Sequence, residues 1–546
     1  MSHPNASGVL GMGIGSSSLR ELYYSRGYWR TETLWDTVSA VAQSRSGSLA
    51  LREGARTITY SDLIASARSF AGGLSRLGLR PGDTVLLHTR NGIDSAIAML
   101  GIIAGGFVCV PVPPMFSAPQ VGAIADSAKA RALIALAVNS PGEKARTVSG
   151  LSPSIEIAIV PDAEASPPSL LPWTAVVNSA PMAEVKISAD DPAMVLYSSG
   201  STGAPKGVIH SANTLRYAAE MNARLHRVGS EDRMLIAAEF GFVGGTVLSN
   251  LVTILTGAEG IILPRWSPEE ALDLIARERV TYTLFVPTHT HDLLQCPELE
   301  RSDCSSLRRG IFAILTPETW EETRGRGLCK YPFPMYGMSE CIGHTTCTED
   351  DPFDAMQHTD GRAFPGTVHE VRDEEGKVLP AGQAGNMFVR GPSRFLGYLN
   401  AADLTEGALG TDGFLWTGDR CSIDERGYVK FISRVKELVR RGAMTLIPSE
   451  IEAALRRHPD VVDVAVVGVP DKRLGERVCA CIIQRPGCAL TLDGIKAFLE
   501  SISFARYSWP EFLVLLEQFP RTPSLKPRRP QLRDIAIARL GDAIKS

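Results

Sequence analysis

The stretch Tyr197-Ser-Ser-Gly-Ser-Thr-Gly-Ala-Pro-Lys-Gly207 decides how this chain is read. It follows the strand-like run AMVLY and precedes a segment that carries Leu215, Ala218 and Ala219 on one helical face. Glycines let backbone amides turn toward an anion, serine and threonine hydroxyls add donors, and Lys206 adds a cation. The spacing predicts a phosphate cradle between a strand and a helix. It is not a Walker loop, because Pro205 stands where G-x-x-x-x-G-K-[ST] needs glycine and no hydroxyl follows the lysine.

Outward from this loop, Leu34 to Met194 alternates helical patterns with short apolar runs such as TVLLHT (84–89) and ALIALAV (132–138), which predicts a mostly parallel α/β sheet. The uncharged stretch Ala96 to Pro114 is long enough to raise the question of a membrane span. Gly101, Gly105, Gly106, Pro111, Pro113 and Pro114 interrupt it, so a buried helix, a glycine turn and a buried strand are expected instead. Pro161 to Pro172, rich in Pro, Ala and Ser, reads as a surface connection. After Phe431 the texture becomes a compact run of strands and helices. Ser449-x-x-Glu452 has the pattern of a capping box opening a helix over Glu450 to Arg457, and VVDVAVVGV (461–469) and RVCACIIQ (477–484) read as neighbouring strands. The expected organisation is a Gly/Ser-rich mobile leader (1–30), a large N-terminal domain of layered α/β subdomains (31–434) and a small α+β domain (435–546), with the boundary near Arg434 to Glu437.

Composition narrows the function classes. A chain of 546 residues with 44% hydrophobic and 21% charged residues and a net charge of −4 is neither disordered nor built to bind nucleic acid. Ten cysteines without a CxxC pair predict buried thiols in a reducing, cytoplasmic setting, not a zinc site. The start, MSHPNASGVLGMGIGSSSLR, lacks the basic, apolar and cleavage regions of a secretory signal.

SSGSTGAPKG resembles the phosphate loop of the adenylate-forming superfamily of acyl-CoA synthetases, adenylation domains and luciferases. Further motifs follow in that family's order: Tyr336-Gly-Met-Ser-Glu340 is similar to YGxTE, Trp416-Thr-Gly-Asp419 to TGD, Ser433-Arg-Val-Lys-Glu-Leu438 to the GRxK hinge, and Arg521-Thr-Pro-Ser-Leu-Lys526 to RTPxGK. The resemblance runs from about Gly27 to the end, and the ordered set is far more specific than any one motif. It implies a nucleotide site made of Ser198, Ser199, Gly200, Ser201, Thr202, Gly203, Lys206, Tyr336, Gly337, Ser339, Asp419, Arg434 and Lys526. ATP, Mg2+ and CoA, or the phosphopantetheine of a carrier protein, are the implied cofactors. Chemistry suits the matched residues to these roles. Glu340 offers the hard oxygen that Mg2+ takes, Thr202 and Ser339 offer hydroxyls for phosphate oxygens, and Tyr336 offers a flat ring for adenine. Asp419 has two acceptor oxygens for the ribose hydroxyls, and Lys526 supplies the cation for charge developing between carboxylate and α-phosphate. Lys436 falls at the hinge position about which the family rotates its small domain.

The chain departs from the family at several points. The usual GG pair that packs on adenine is replaced within Gly310-Ile-Phe-Ala-Ile-Leu-Thr-Pro-Glu318, Ser433 and Leu525 stand where glycine is usual, and Ala443 interrupts another GG. In the acid-binding region, Ala238-Glu-Phe-Gly-Phe-Val-Gly-Gly245 has neither the aspartate of amino-acid activators nor the His-Asn pair of hydroxybenzoate activators. The expected substrate is therefore an apolar carboxylic acid, medium-chain, alicyclic or simple aryl, packed by Phe240 and Phe242. Glu239 is the unassigned residue of this stretch. The leading expectation is an acyl-CoA ligase. The others are an adenylating enzyme that loads a carrier protein and a nucleotide-binding protein that has lost catalysis.

Overall fold

The computed structural model describes residues 17–198, 206–441, 444–471, 473–521 and 526–544. These residues form two compact units. The first gathers the chain up to His369 with Val389–Leu415 and Arg426–Val429. The second gathers Glu370–Phe388, Trp416–Glu425 and Lys430–Ser546.

Two large sheets build the first unit. One has eight strands in the order Gly397–Tyr398, Lys206–Ser211, Pro192–Ser198, Val108–Val112, Thr84–His88, Ala132–Ala135, Ile157–Val160 and Leu171–Pro172. The other has seven, in the order Tyr331–Phe333, Arg309–Phe312, Tyr282–Phe285, Arg233–Ile236, Glu259–Ile262, Leu49–Glu53 and Arg56–Thr59. Pairing is parallel except where Lys206–Ser211 meets its two neighbours and where Leu49–Glu53 meets Arg56–Thr59. The central strands of the eight-stranded sheet are covered on both faces, which is why Val108–Val112, Ala132–Ala135 and Ile157–Val160 are buried apolar runs. In TVLLH, Val85 and Leu87 enter the principal core while Leu86 enters a second core on the opposite face.

The uncharged stretch Ala96 to Pro114 folds as expected. Ile93–Ala104 is a helix buried on nearly every side, the chain turns at Gly106 (φ 68), and Val108–Val112 is a fully buried strand. Among the described residues no helix is long and apolar enough to cross a membrane. Of the expected leader, residues 1–16 lie outside the described residues, and the part from Ser17 differs from expectation. Ser17–Ser25 is a helix tied by an Arg20–Asp190 ion pair, and Tyr23 and Trp29 are buried, the indole of Trp29 donating to the Pro392 carbonyl at 3.0 Å.

The second unit holds a sheet ordered Met444–Leu446, Val439–Arg441, Gly475–Gln484 and Val461–Asp471, with Phe512–Leu515 pairing Gly475–Gln484 in parallel. Its long antiparallel pair, Val461–Asp471 with Gly475–Gln484, is the pair of strands expected from VVDVAVVGV and RVCACIIQ. The helix between them and the hinge, Pro448–Arg456, corrects the capping-box expectation. Proline occupies its first turn, the Ser449 hydroxyl donates to the Ile432 carbonyl at 2.9 Å, and Glu452 accepts from Val466 N at 2.7 Å. All ten cysteines are free thiols, nine of them buried.

Candidate active site

The phosphate loop itself, 199–205, lies outside the described residues, so Ser199, Gly200, Ser201, Thr202 and Gly203 do too; of Ser198 only the backbone is described. What flanks the loop corrects the strand-to-helix reading. Pro192–Ser198 leads into it, and Lys206–Ser211 leaves it as an antiparallel strand in register with the first, Ser198 opposite Lys206. The helix Ala212–Leu225 begins only after that strand, capped by Ser211, whose hydroxyl accepts from Thr214 N.

Tyr336-Gly-Met-Ser-Glu340 lies beside this exit strand. Met335–Met338 and Cys341–Thr346 form a hairpin, and its two chains come so close that a Cβ on Gly337 would sit 2.7 Å from Gly343 N, so glycine is required at 337 by contact with backbone. Tyr336 is anchored through its amide, which donates to Thr345 Oγ1 at 3.2 Å, and its ring meets the His344 ring edge-on at 4.5 Å. His344 Nδ1 and His369 Nε2 are 3.0 Å apart. Burial holds both imidazoles below the usual histidine range, so the pair is neutral and shares one N–H. Ser339 presents its carbonyl to His210 Nε2 at 2.7 Å. That ring nitrogen therefore carries the proton, and desolvation lowers the His210 pKa to about 4.

Glu340 is 8% exposed, and Tyr398 donates to its Oε1 at 2.8 Å. Lys206 Nζ lies 5.2 Å from the centre of the Tyr398 ring. No motif in the sequence pointed to Tyr398; it stands 58 positions from Glu340, in the strand Gly397–Tyr398 that pairs with the loop's exit strand.

A second cluster belongs to the second unit. Asp419 is fully buried, with its amide donating to Thr417 Oγ1 at 3.1 Å, and Arg434 Nε reaches its Oδ1 at 3.1 Å. Lys526 joins these two. Desolvation and the neighbouring Arg434 charge hold its ammonium below the ordinary lysine value, while Glu437 and Asp419 act against them. Solvent still reaches the Lys526 side chain, which tempers the effect. Glu437 is in turn paired with Arg529 at 3.0 Å, and Arg529 is held by Glu452 at 2.6 Å. Lys436 lies in the 3-10 turn Val435–Glu437, its side chain outside the described residues. Ser433 is buried, and Ala443 and Leu525 lie outside the described residues.

The expected nucleotide residues thus fall into two sets, Lys206, Tyr336, Gly337, Ser339 and Glu340 in one unit and Asp419, Arg434 and Lys526 in the other. Residues 38–399 match the model of the AMP-binding enzyme, and residues 450–526 match that of the AMP-binding enzyme C-terminal domain. The chain belongs to the AMP-binding enzyme family. It is an AMP-forming ligase of the adenylate-forming superfamily. It is 28% identical to the medium-chain fatty-acid–CoA ligase of Escherichia coli K12 over 95% of this chain and 93% of that one. It is 29% identical to the salicyl-AMP ligase / salicyl-S-ArCP synthetase of Mycobacterium tuberculosis over 94% and 93%. The ATP-bound structure of MatB from Rhodopseudomonas palustris superposes with a TM-score of 0.85 at 27% identity, covering 93% of this chain and 99% of that one.

In the expected acid-binding segment, Phe240 is buried in the principal core and Phe242 is half-buried. Between them Gly241 takes φ 96 with Pro113 N only 2.4 Å from where a Cβ would stand, so the segment is pressed against the end of the strand Val108–Val112. Glu239 immediately precedes Phe240; burial raises its pKa to about 7, with the Arg90 charge opposing.

Proposed function

We propose that the chain uses ATP to convert an apolar carboxylic acid, medium-chain, alicyclic or simple aryl, into an acyl-adenylate, and then passes the acyl group to the thiol of CoA. The observation that carries this reading is the meeting of Asp419, Arg434 and Lys526 in one cluster of the second unit. A nucleotide-binding protein without catalysis needs the carboxylate for ribose. It has no use for a lysine crowded against an arginine, whose service is to oppose negative charge in an in-line displacement. The family's motifs and the similarity to named ligases support the same reading.

In this reading Thr202 and Ser339 donate to phosphate oxygens, Lys206 attends the phosphate loop, Tyr336 faces the adenine, and Phe240 and Phe242 shape the acid pocket. Glu340 fits a magnesium ion by its donor chemistry, a buried carboxylate oriented by a tyrosine hydroxyl. That ion supplies charge neutralisation on the phosphates. Lys436 serves as the hinge between a large domain (31–434) and a small one (435–546), in a cytoplasmic enzyme.

Pyrophosphate exchange against a panel of acids tests the proposal: exchange with apolar acids is expected, and exchange with amino acids alone would overturn the substrate class. A second reading, transfer to the phosphopantetheine of a carrier protein, is favoured by the similarity to the salicyl-S-ArCP synthetase. Mass spectrometry of the acylated product, with CoA and a carrier protein offered together, separates the two.

A further inference from the structure

Tyr398 touches both sides of the first unit's cluster. Its hydroxyl donates to Glu340 Oε1 at 2.8 Å, and its ring lies under the ammonium of Lys206 at 5.2 Å. The backbone around it is clamped in the same two directions. Leu399 N donates to the Gly207 carbonyl and Leu396 N to that of Ile209, while Phe395 N donates to the carbonyl of Glu340, each at 2.8 Å. Tyr398 is 8% exposed, so its hydroxyl and ring are held in place by the surrounding strands. The hydroxyl is the donor in this bond, and Glu340 Oε1 the acceptor.

We propose that Tyr398 is a positioning residue of the adenylation step: its hydroxyl occupies Oε1 of Glu340, so that Oε2 is the oxygen offered to the nucleotide's magnesium ion, and its ring holds Lys206 at the exit of the phosphate loop. This rests on the ATP-dependent reading above. One side chain therefore registers the metal-binding carboxylate against the loop lysine, and its two halves have separable effects. The hydroxyl acts only through Glu340 and the ring only through Lys206.

Two full-length variants, Tyr398→Phe and Tyr398→Leu, separate these effects. Calorimetric titrations with ATP in the presence of Mg2+ and in the presence of EDTA give a readout independent of turnover, and pyrophosphate exchange as a function of Mg2+ concentration gives the kinetic one. Removing a group that orients a metal ligand costs about 10-fold or more in metal affinity. Tyr398→Phe is therefore expected to raise the half-saturating Mg2+ concentration about 10-fold while leaving metal-free ATP binding unchanged. Tyr398→Leu is expected to weaken metal-free ATP binding as well, by roughly 3- to 30-fold, the loss of one cation–π contact. In a Glu340→Gln background, Tyr398→Phe should add no further change in Mg2+ dependence. A Phe variant with wild-type Mg2+ dependence, or one that shifts it equally in both backgrounds, would overturn the assignment; melting temperatures in the two backgrounds report any packing defect separately. Wild-type protein that binds no ATP at all would overturn the functional reading itself.

Discussion

Arg434 Nε stands 3.1 Å from Oδ1 of the fully buried Asp419, joining the TGD segment to the hinge motif within one compact unit. A buried carboxylate is costly without a cation nearby, so the arginine compensates the Asp419 carboxylate, whose two oxygens suit it to accept two hydroxyls. Asp419→Asn turns one acceptor into a donor. It should raise the KM for ATP about 10-fold, the loss of roughly one charge-assisted hydrogen bond, with a smaller effect on kcat. A KM within twofold of wild type would remove Asp419 from the nucleotide site.

For Lys526→Ala the expected pattern is the reverse. In the proposed reaction its ammonium meets charge that develops only during the displacement, so single-turnover acyl-adenylate formation should slow by about 10²- to 10³-fold while ATP binding changes little. Calorimetry with ATP and quench-flow measurement of the adenylate would test this split. A variant that adenylates at the wild-type rate would exclude Lys526 from the first step.

Lys436→Pro should distinguish the two half-reactions. Proline fixes φ near about −65° and removes an amide donor, so it should hinder backbone rotation in the Val435–Glu437 turn. Adenylation should persist and acyl-AMP accumulate, while release to the thiol falls by about 10-fold or more. Equal slowing of both half-reactions would sink the hinge role.

Glu239 makes a pH prediction. Because burial raises its folded-state pKa to about 7 from the ordinary carboxyl value of 4.5, the folded chain keeps a proton that the unfolded chain releases as pH rises between those values. Stability from this group is therefore lost across that window and stays low above it. Glu239→Gln should raise the apparent melting temperature at pH 8 by roughly 1–2 °C and leave it unchanged near pH 4.5. A gain of equal size at both pH values would assign it to packing.

How much of this was legible beforehand depends on where each residue's partner lies. TVLLHT announced a strand because its neighbours on both faces demand apolar side chains, and the family motifs pointed to Glu340, Asp419 and Lys526, of which the last two meet in one cluster. Lys206–Ser211 was missed because its GVIH core is short and follows a lysine that belongs to the loop. Ser449 and Glu452 had the spacing of a local cap, yet tertiary partners at Ile432, Val466 and Arg529 claimed both. Tyr398 carried no local signal at all, since its role exists only once two distant strands pair. Within Gly310 to Glu318, where the family's GG pair is replaced, the backbone still takes a left-handed turn. Ile314 adopts φ 54 and is 61% exposed, a β-branched residue in a conformation that glycine adopts at lower cost.

The way the second unit is collected from separate stretches of chain bears on how such enzymes can be recombined. Asp419 arrives on the Trp416–Glu425 stretch and Lys526 on the one that runs from Lys430 to the end. A single crossover in the hinge segment would thus draw these two neighbours from different parents. A chimera so made inherits a cluster whose halves have never been matched, so its fitness should track how well the Asp419 and Arg434 side of one parent accommodates Lys526 of the other. Breakpoints that keep Trp416–Glu425 with the C-terminal stretch would transfer the cluster intact.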